Sequence, residues 1–187
     1  MNTIIRQATF SDAQLLTDLG ARTFLEAYRD VKAEKDLMDY IPTAFIQDEI
    51  ESTIKNNHVI FLIAYFNYEA VGYVKLRWDR SHANLNTEEK NIELERIYVL
   101  RNYWKHKIGA ALMMEAIKIS KDNNYDFLWL GVWQQNKRAI DFYLKMGFEI
   151  FGTKKFYVGE EENDDYVMRL KLQTSIINKG FYLFQNR

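Results

Sequence analysis

The sequence contains no cysteine. That absence excludes disulfides, thiolate metal sites and a cysteine nucleophile, and it fits a chain that works in the reducing cytoplasm. Proline occurs once, as Pro42, and glycine only 8 times in 187 residues. So few breakers imply long continuous elements and few linkers. No apolar run approaches the roughly 20 residues that a membrane span needs. The opening stretch, MNTIIRQATFSDAQLL, lacks the apolar segment and small-residue site of a secretion signal, so a cytoplasmic enzyme is the expectation. Charge of either sign is not in excess: 25 Lys and Arg stand against 26 Asp and Glu, a net of -1, which leaves no general footprint for nucleic acid. His58, His82 and His106 are scattered without ligand spacing, so no metal is expected.

What is present is ordinary globular composition, 48% hydrophobic and 27% charged, with aromatics at 15%. The length suits one domain with a full core. Thr3 to Ala8 reads as a first strand, and Ser11, Asp12, Ala13 and Gln14 read as a helix start with a capping box. Residues 30 to 45 are polar and hold Pro42, and a helix resumes from Ile46 to Asn56. Two dense β-branched and aromatic runs, His58 to Phe66 and Ala70 to Arg77, are separated by Asn67, Tyr68 and Glu69 and pair as a hairpin. Asp79 to Lys90 has no apolar period and reads as an exposed loop. Further on come a strand from Asn91 to Leu100, a helix from Ile108 to Lys121, a strand from Asp126 to Trp133 and a helix from Asn136 to Met146 that Gly147 ends. Phe148 to Val158 and Tyr166 to Leu172 finish as strands around an acidic turn. This order predicts an α/β sheet of mixed direction with helices on its faces.

The stretch most suggestive of chemistry is Arg101-Asn102-Tyr103-Trp104-Lys105-His106-Lys107, which joins the strand ending Ile97-Tyr98-Val99 to a helix opening at Ile108, Gly109 and Ala110. A helix N-terminus presents unpaired N–H groups and a partial positive charge, so cations around it point to a phosphate. No GxxxxGK[ST] string occurs, and Gly109 lacks the partner glycines of GxGxxG. A nucleotide-like cofactor of another kind remains, beside the plain reading of a solvated basic surface.

YVLRNYWKHKIGAALM resembles the acetyl-CoA motif of the GCN5-related N-acetyltransferases, Gln/Arg-x-x-Gly-x-Gly/Ala, with Trp104 at the usual Gln or Arg, Lys107 at the first glycine and Gly109 matching. NKRAIDFYLKMGFE is similar to the family's second motif at Asn136, Ala139, Phe142, Tyr143, Gly147 and Phe148. With IELERIYV, WLGVW and KFYVGEEENDDYVM, the chain resembles most the Pai-type polyamine N-acetyltransferases over residues 3 to 172. The resemblance implies a mostly antiparallel mixed sheet of about six to seven strands, splayed between strands four and five. It implies acetyl-CoA as co-substrate, held by Ile97, Tyr98, Val99, Trp104, Lys105, His106, Lys107, Ile108, Gly109, Ala110, Asn136, Ala139 and Phe142. A primary amine, with spermidine or spermine foremost, is the implied acceptor, in a pocket that includes Phe24, Glu26 and Tyr28. An acetyltransferase for protein N-termini or antibiotic amines, or a non-catalytic acetyl-CoA-binding regulatory module, is the alternative.

Acetyl transfer needs a neutral amine, a stabilised oxyanion and a proton for the thiolate. Tyr143 is the candidate donor, or else a core aromatic, and Asn136 shares its helix face. Glu93 and Glu95, two apart on one strand, are the candidate bases; Glu93 falls where the family's acting glutamate does, and either can serve. The acidic run from Glu160 to Asp165 reads as a solvated turn. Residues 173 to 187 form a tail beyond the domain of 1 to 172, and its FYLF leaves a homodimer open.

Overall fold

A computed structural model describes residues 3–80, 88–158 and 161–172. Part of the expected 79–90 loop and the whole 173–187 tail lie outside the described residues. The strands are β1 (Thr3–Gln7), β2 (Val59–Phe66), β3 (Glu69–Arg77), β4 (Asn91–Val99), β5 (Phe127–Trp133), β6 (Glu149–Val158) and β7 (Glu161–Lys171). The helices are α1 (Ala13–Tyr28), α2 (Glu34–Ala44), α3 (Gln47–Ile54), α4 (Ile108–Asp122) and α5 (Lys137–Lys145). The sheet order is β1-β2-β3-β4-β5-β7-β6, and β4–β5 is its parallel pair. No helix among the described residues is long and apolar enough to cross a membrane.

The hydrophobic runs become the sheet centre because both their faces are covered. VIFLIAYF of β2 is buried along nearly its whole length and packs against α3 and α4. Asn67 and Tyr68 alone turn β2 into β3, with φ 49° and 68°. Positive φ at both central residues is what a two-residue hairpin with the right strand twist requires.

Two boundaries in the first 45 residues differ from the sequence reading. The box that opens the first helix is closed by Thr9, not Ser11: the Thr9 N–H donates to Asp12 Oδ2 at 2.7 Å, and a short 3₁₀ turn from Phe10 to Asp12 precedes α1. The polar segment around Pro42 is itself helical, as α2. Pro42 lies in the last turn, so the i→i−4 hydrogen bond it removes falls near the helix end, and buried Leu37 anchors the helix to Phe24 and Phe45.

Two irregularities position the site. β4 pairs with β5 only at Asn91–Phe127, Ile92–Leu128 and Glu93–Trp129, while it stays paired to β3 as far as Val99. The sheet therefore opens a V after Glu93. In the β3–β4 ladder Lys75 opposes Arg96 and Leu76 opposes Leu94, which leaves Glu95 as the extra residue of a β-bulge. A bulge sets two residues against one and re-aims the side chains there.

Candidate active site

The apex of the V holds Glu93, 6% exposed, with no hydrogen-bond partner for Oε2 among the described residues. Burial raises the pKa of its carboxyl, against the pull of Lys154 on β6. Glu95 is the opposite case. Lys75 Nζ donates to it at 2.8 Å and Arg77 Nη1 at 3.0 Å. Burial works against its charged form, but these cations outweigh it and hold the carboxyl below its ordinary range.

Tyr143 is buried on α5 between Phe142 and Phe148. Burial, then the neighbouring Tyr28, push its pKa upward, so the hydroxyl keeps its proton at any physiological pH. Asn136 caps α5, accepting from the Ala139 N–H at 3.1 Å. Tyr28 ends α1 beside them: burial raises its pKa, and contacts with the Tyr98 hydroxyl and the Asn136 side chain oppose that rise. α1, β4 and α5 thus bring Tyr28, Tyr98, Asn136 and Tyr143 together above the V, as the spacing on α5 suggested for two of them.

The basic turn is a 3₁₀ segment, Arg101–His106, and Lys107 follows in the left-handed region at φ 59°, capping α4. That conformation suits glycine, so Lys107 occupies a strained backbone position with its side chain exposed. A Cβ built at Gly109 would meet only Val99 Cγ2, at 3.9 Å, so the first turn of this 15-residue helix is open. Trp104 lies face to Arg138, whose guanidinium carbon is 3.1 Å from the ring centre, and its Nε1 donates to the Val99 carbonyl at 2.7 Å. One acceptor position of the Val99 carbonyl, on a residue expected to hold the cofactor, is thus filled from within the chain. Lys105 and His106 are exposed, while Ile108 is fully buried and anchors the turn.

Of the expected acceptor residues, Phe24 is a buried hub whose ring packs on Tyr28, Tyr40, Phe45 and Tyr98. Glu26 accepts from the Arg101 N–H at 2.7 Å and from Arg22 Nε at 3.2 Å. Asp30 pairs with Arg101 at 2.7 Å. These acids tie α1 to the basic turn.

Sequence reasoning missed Asp165. The acidic run, read as a solvated turn, enters β7 at Glu161, and Asn163 and Asp165 point inward. Burial pushes the Asp165 carboxyl up to about 6, and Lys154 and Lys32 oppose this. Counting back in steps of two from the buried Val167 would have found it.

A model of the acetyltransferase (GNAT) family matches residues 21–148. The chain belongs to the GNAT family. An N-acetyltransferase of Mycobacterium tuberculosis strain H37Rv is 30% identical over 158 residues, covering 84% of this chain and 96% of that protein. N-alpha-acetyltransferase 50 of Danio rerio is 31% identical over 147 residues, 78% of this chain and 84% of its own length. Among solved structures, the PaiA N-acetyltransferase of Thermoplasma acidophilum in complex with coenzyme A superposes with a TM-score of 0.75 at 26% identity, covering 91% and 99% of the two chains. The GNAT assignment accounts for the mixed sheet, the V after Glu93 and the parallel β4–β5 pair.

Proposed function

We propose that residues 1–172 form one N-acetyltransferase domain that moves an acetyl group from acetyl-CoA to a primary amine. The observation that carries this reading is the parting of β4 from β5 directly after Glu93, a buried carboxyl at the apex whose Oε2 has no hydrogen-bond partner among the described residues. Pantetheine lies along the open edge of Ile97 and Tyr98, and the pyrophosphate meets the first turn of α4 at Ile108, Gly109 and Ala110, with Lys105 and Lys107 beside it.

Most acceptor amine is protonated at neutral pH, since a primary amine titrates near 10. Glu93, with its raised proton affinity, takes that proton, directly or through a water. The amine nitrogen attacks the acetyl carbonyl carbon, the C–N bond forms and the C–S bond breaks. The thiolate leaves with a proton from Tyr143, the proton that the nitrogen sheds as the amide forms restores the Tyr143 hydroxyl, and the products are the acetylated amine and free coenzyme A. Glu95 is the poorer base because Lys75 and Arg77 stabilise its charge.

Spermidine or spermine is the acceptor favoured by the likeness to PaiA. A second reading, an amine that also carries a carboxylate, is favoured by the cavity treated in the next subsection. The test is release of free thiol from acetyl-CoA over a panel of spermidine, spermine, putrescine, lysine, lysine peptides and an aminoglycoside. Turnover that Glu93→Gln and Tyr143→Phe abolish supports the reading. Binding of acetyl-CoA with no turnover on any amine would replace it with a binding module.

A further inference from the structure

A cavity of about 470 Å³ lies beside the bulge, between the α2–α3 corner and the β2–β4 face. Its charged lining is Lys75, Arg77, Arg80 and Arg96 against Glu49 and Glu95. Four cations face two carboxylates, and the inner members are largely removed from water: the side chains of Lys75, Arg77 and Glu95 are 12%, 11% and 18% exposed. Glu95 is shared between Lys75 and Arg77, and Arg77 also takes Asp79 at 2.7 Å.

Arg96 is left without an ion pair among the described residues. Its guanidinium donates to the Ala44 carbonyl at 3.3 Å and stacks over the Phe45 ring at 4.6 Å. A second polar group lines the same cavity. Tyr73 is 2% exposed, and its hydroxyl lies beside the Arg96 guanidinium and donates to no acceptor among the described residues. Burial pushes its pKa up to about 12, so it stays a donor. A half-buried arginine lacking a carboxylate and a buried hydroxyl lacking an acceptor, among the described residues, are both completed by one anion.

We propose that this cavity binds a carboxylate belonging to the acceptor, so that the amine this enzyme acetylates also bears an acid group, as an amino acid does. The deduction rests on the acetyl-transfer reading above. Arg96 and Glu95 sit on β4 between the apex carboxyl Glu93 and the open edge at Ile97, so a molecule anchored at Arg96 has its other end within reach of the V. A linear polyamine has nothing to offer Arg96 and is repelled by it.

The matched acceptors lysine and cadaverine differ only in the carboxylate, as do ornithine and putrescine. Thiol release from acetyl-CoA gives kcat/KM for each. The proposal expects each amino acid to exceed its diamine by about tenfold or more, the discrimination that one charge-assisted bond supplies. Arg96→Gln and Tyr73→Phe should each pull that ratio toward one; Tyr73→Phe removes a single hydroxyl and keeps the ring. Equal or better turnover of the diamines, or ratios that neither variant changes, overturns the proposal. Calorimetric titration of lysine and cadaverine into the protein needs no turnover and therefore separates this claim from the catalytic one. Tighter lysine binding, weakened by Arg96→Gln, supports the subsite even if no acetylation is seen. Glutarate that binds while lysine and cadaverine bind alike assigns the cavity to a free carboxylate and overturns the acceptor claim.

Discussion

Glu93 and Glu95 stand two residues apart on one strand, yet they occupy opposite electrostatic regions. At the apex, Glu93 is buried without a hydrogen-bond partner for Oε2 among the described residues, and burial raises its pKa. At the bulge, Glu95 holds two cations and its pKa is lowered. The strand supplies both carboxylates on similar terms. The difference comes from the neighbours: the β4–β5 ladder ends beside one residue, and β3 brings Lys75 and Arg77 to the other. Proton affinity is thus a property of the ladder's ends and irregularities, and the apex suits a base while the bulge suits an anchor.

The strongest test of that contrast is to neutralise each carboxylate in turn. Glu93→Gln should lower kcat by about 10² to 10⁴ with little change in stability, as expected for removal of a general base. Glu95→Gln should do the reverse. It leaves Lys75 and Arg77 short of a buried counter-charge, at a cost of about 3 kcal/mol in chemical denaturation, while kcat stays within a few-fold of wild type. If the two variants exchange phenotypes, the roles are exchanged.

A smaller effect extends the comparison to Asp165, the second raised carboxyl near the V. Its folded pKa of about 6 lies above the ordinary aspartate value, so the folded state binds the extra proton. Stability should therefore fall as pH rises from about 4 through 6 and stay lower above that. Asp165→Asn should remove that fall, making the variant more stable than wild type by on the order of 1 to 3 kcal/mol at pH 8 and no more stable at pH 4. Denaturation curves at the two pH values decide it. The smallest effect concerns an exposed cation. Lys107→Gly relieves a left-handed backbone and should raise stability by about 1 kcal/mol or less, read as a higher denaturation midpoint.

The sheet, the hairpin at Asn67 and Tyr68, and the strand-turn-helix at Arg101 to Ile108 were all legible, because each rests on local period or turn chemistry. The motif residues of α5 were legible for the same reason: Asn136 and Tyr143 are one helical face. Three features were not. α2 was hidden by Pro42, which reads as a helix breaker, while the packing of Leu37 that holds the helix in spite of it is not local. Asp165 was hidden because a run of six acidic or amide residues looks solvated until strand alternation divides it. The bulge at Glu95 depends on how β3 and β4 slip past each other, which no single strand records, and with it goes the cavity around Arg96. The links of Glu26 and Asp30 to Arg101 on the basic turn were not legible either, because the partners lie far apart in sequence.

The pH dependence of kcat, measured on saturating amine in the wild type, Glu93→Gln and Glu95→Gln, tests the assignment of the base most directly. The apex reading predicts that wild-type kcat rises with pH through an apparent pKa above the ordinary glutamate range, and that this limb persists in Glu95→Gln and disappears in Glu93→Gln. A limb that survives in Glu93→Gln and vanishes in Glu95→Gln would contradict it and place the base at the bulge.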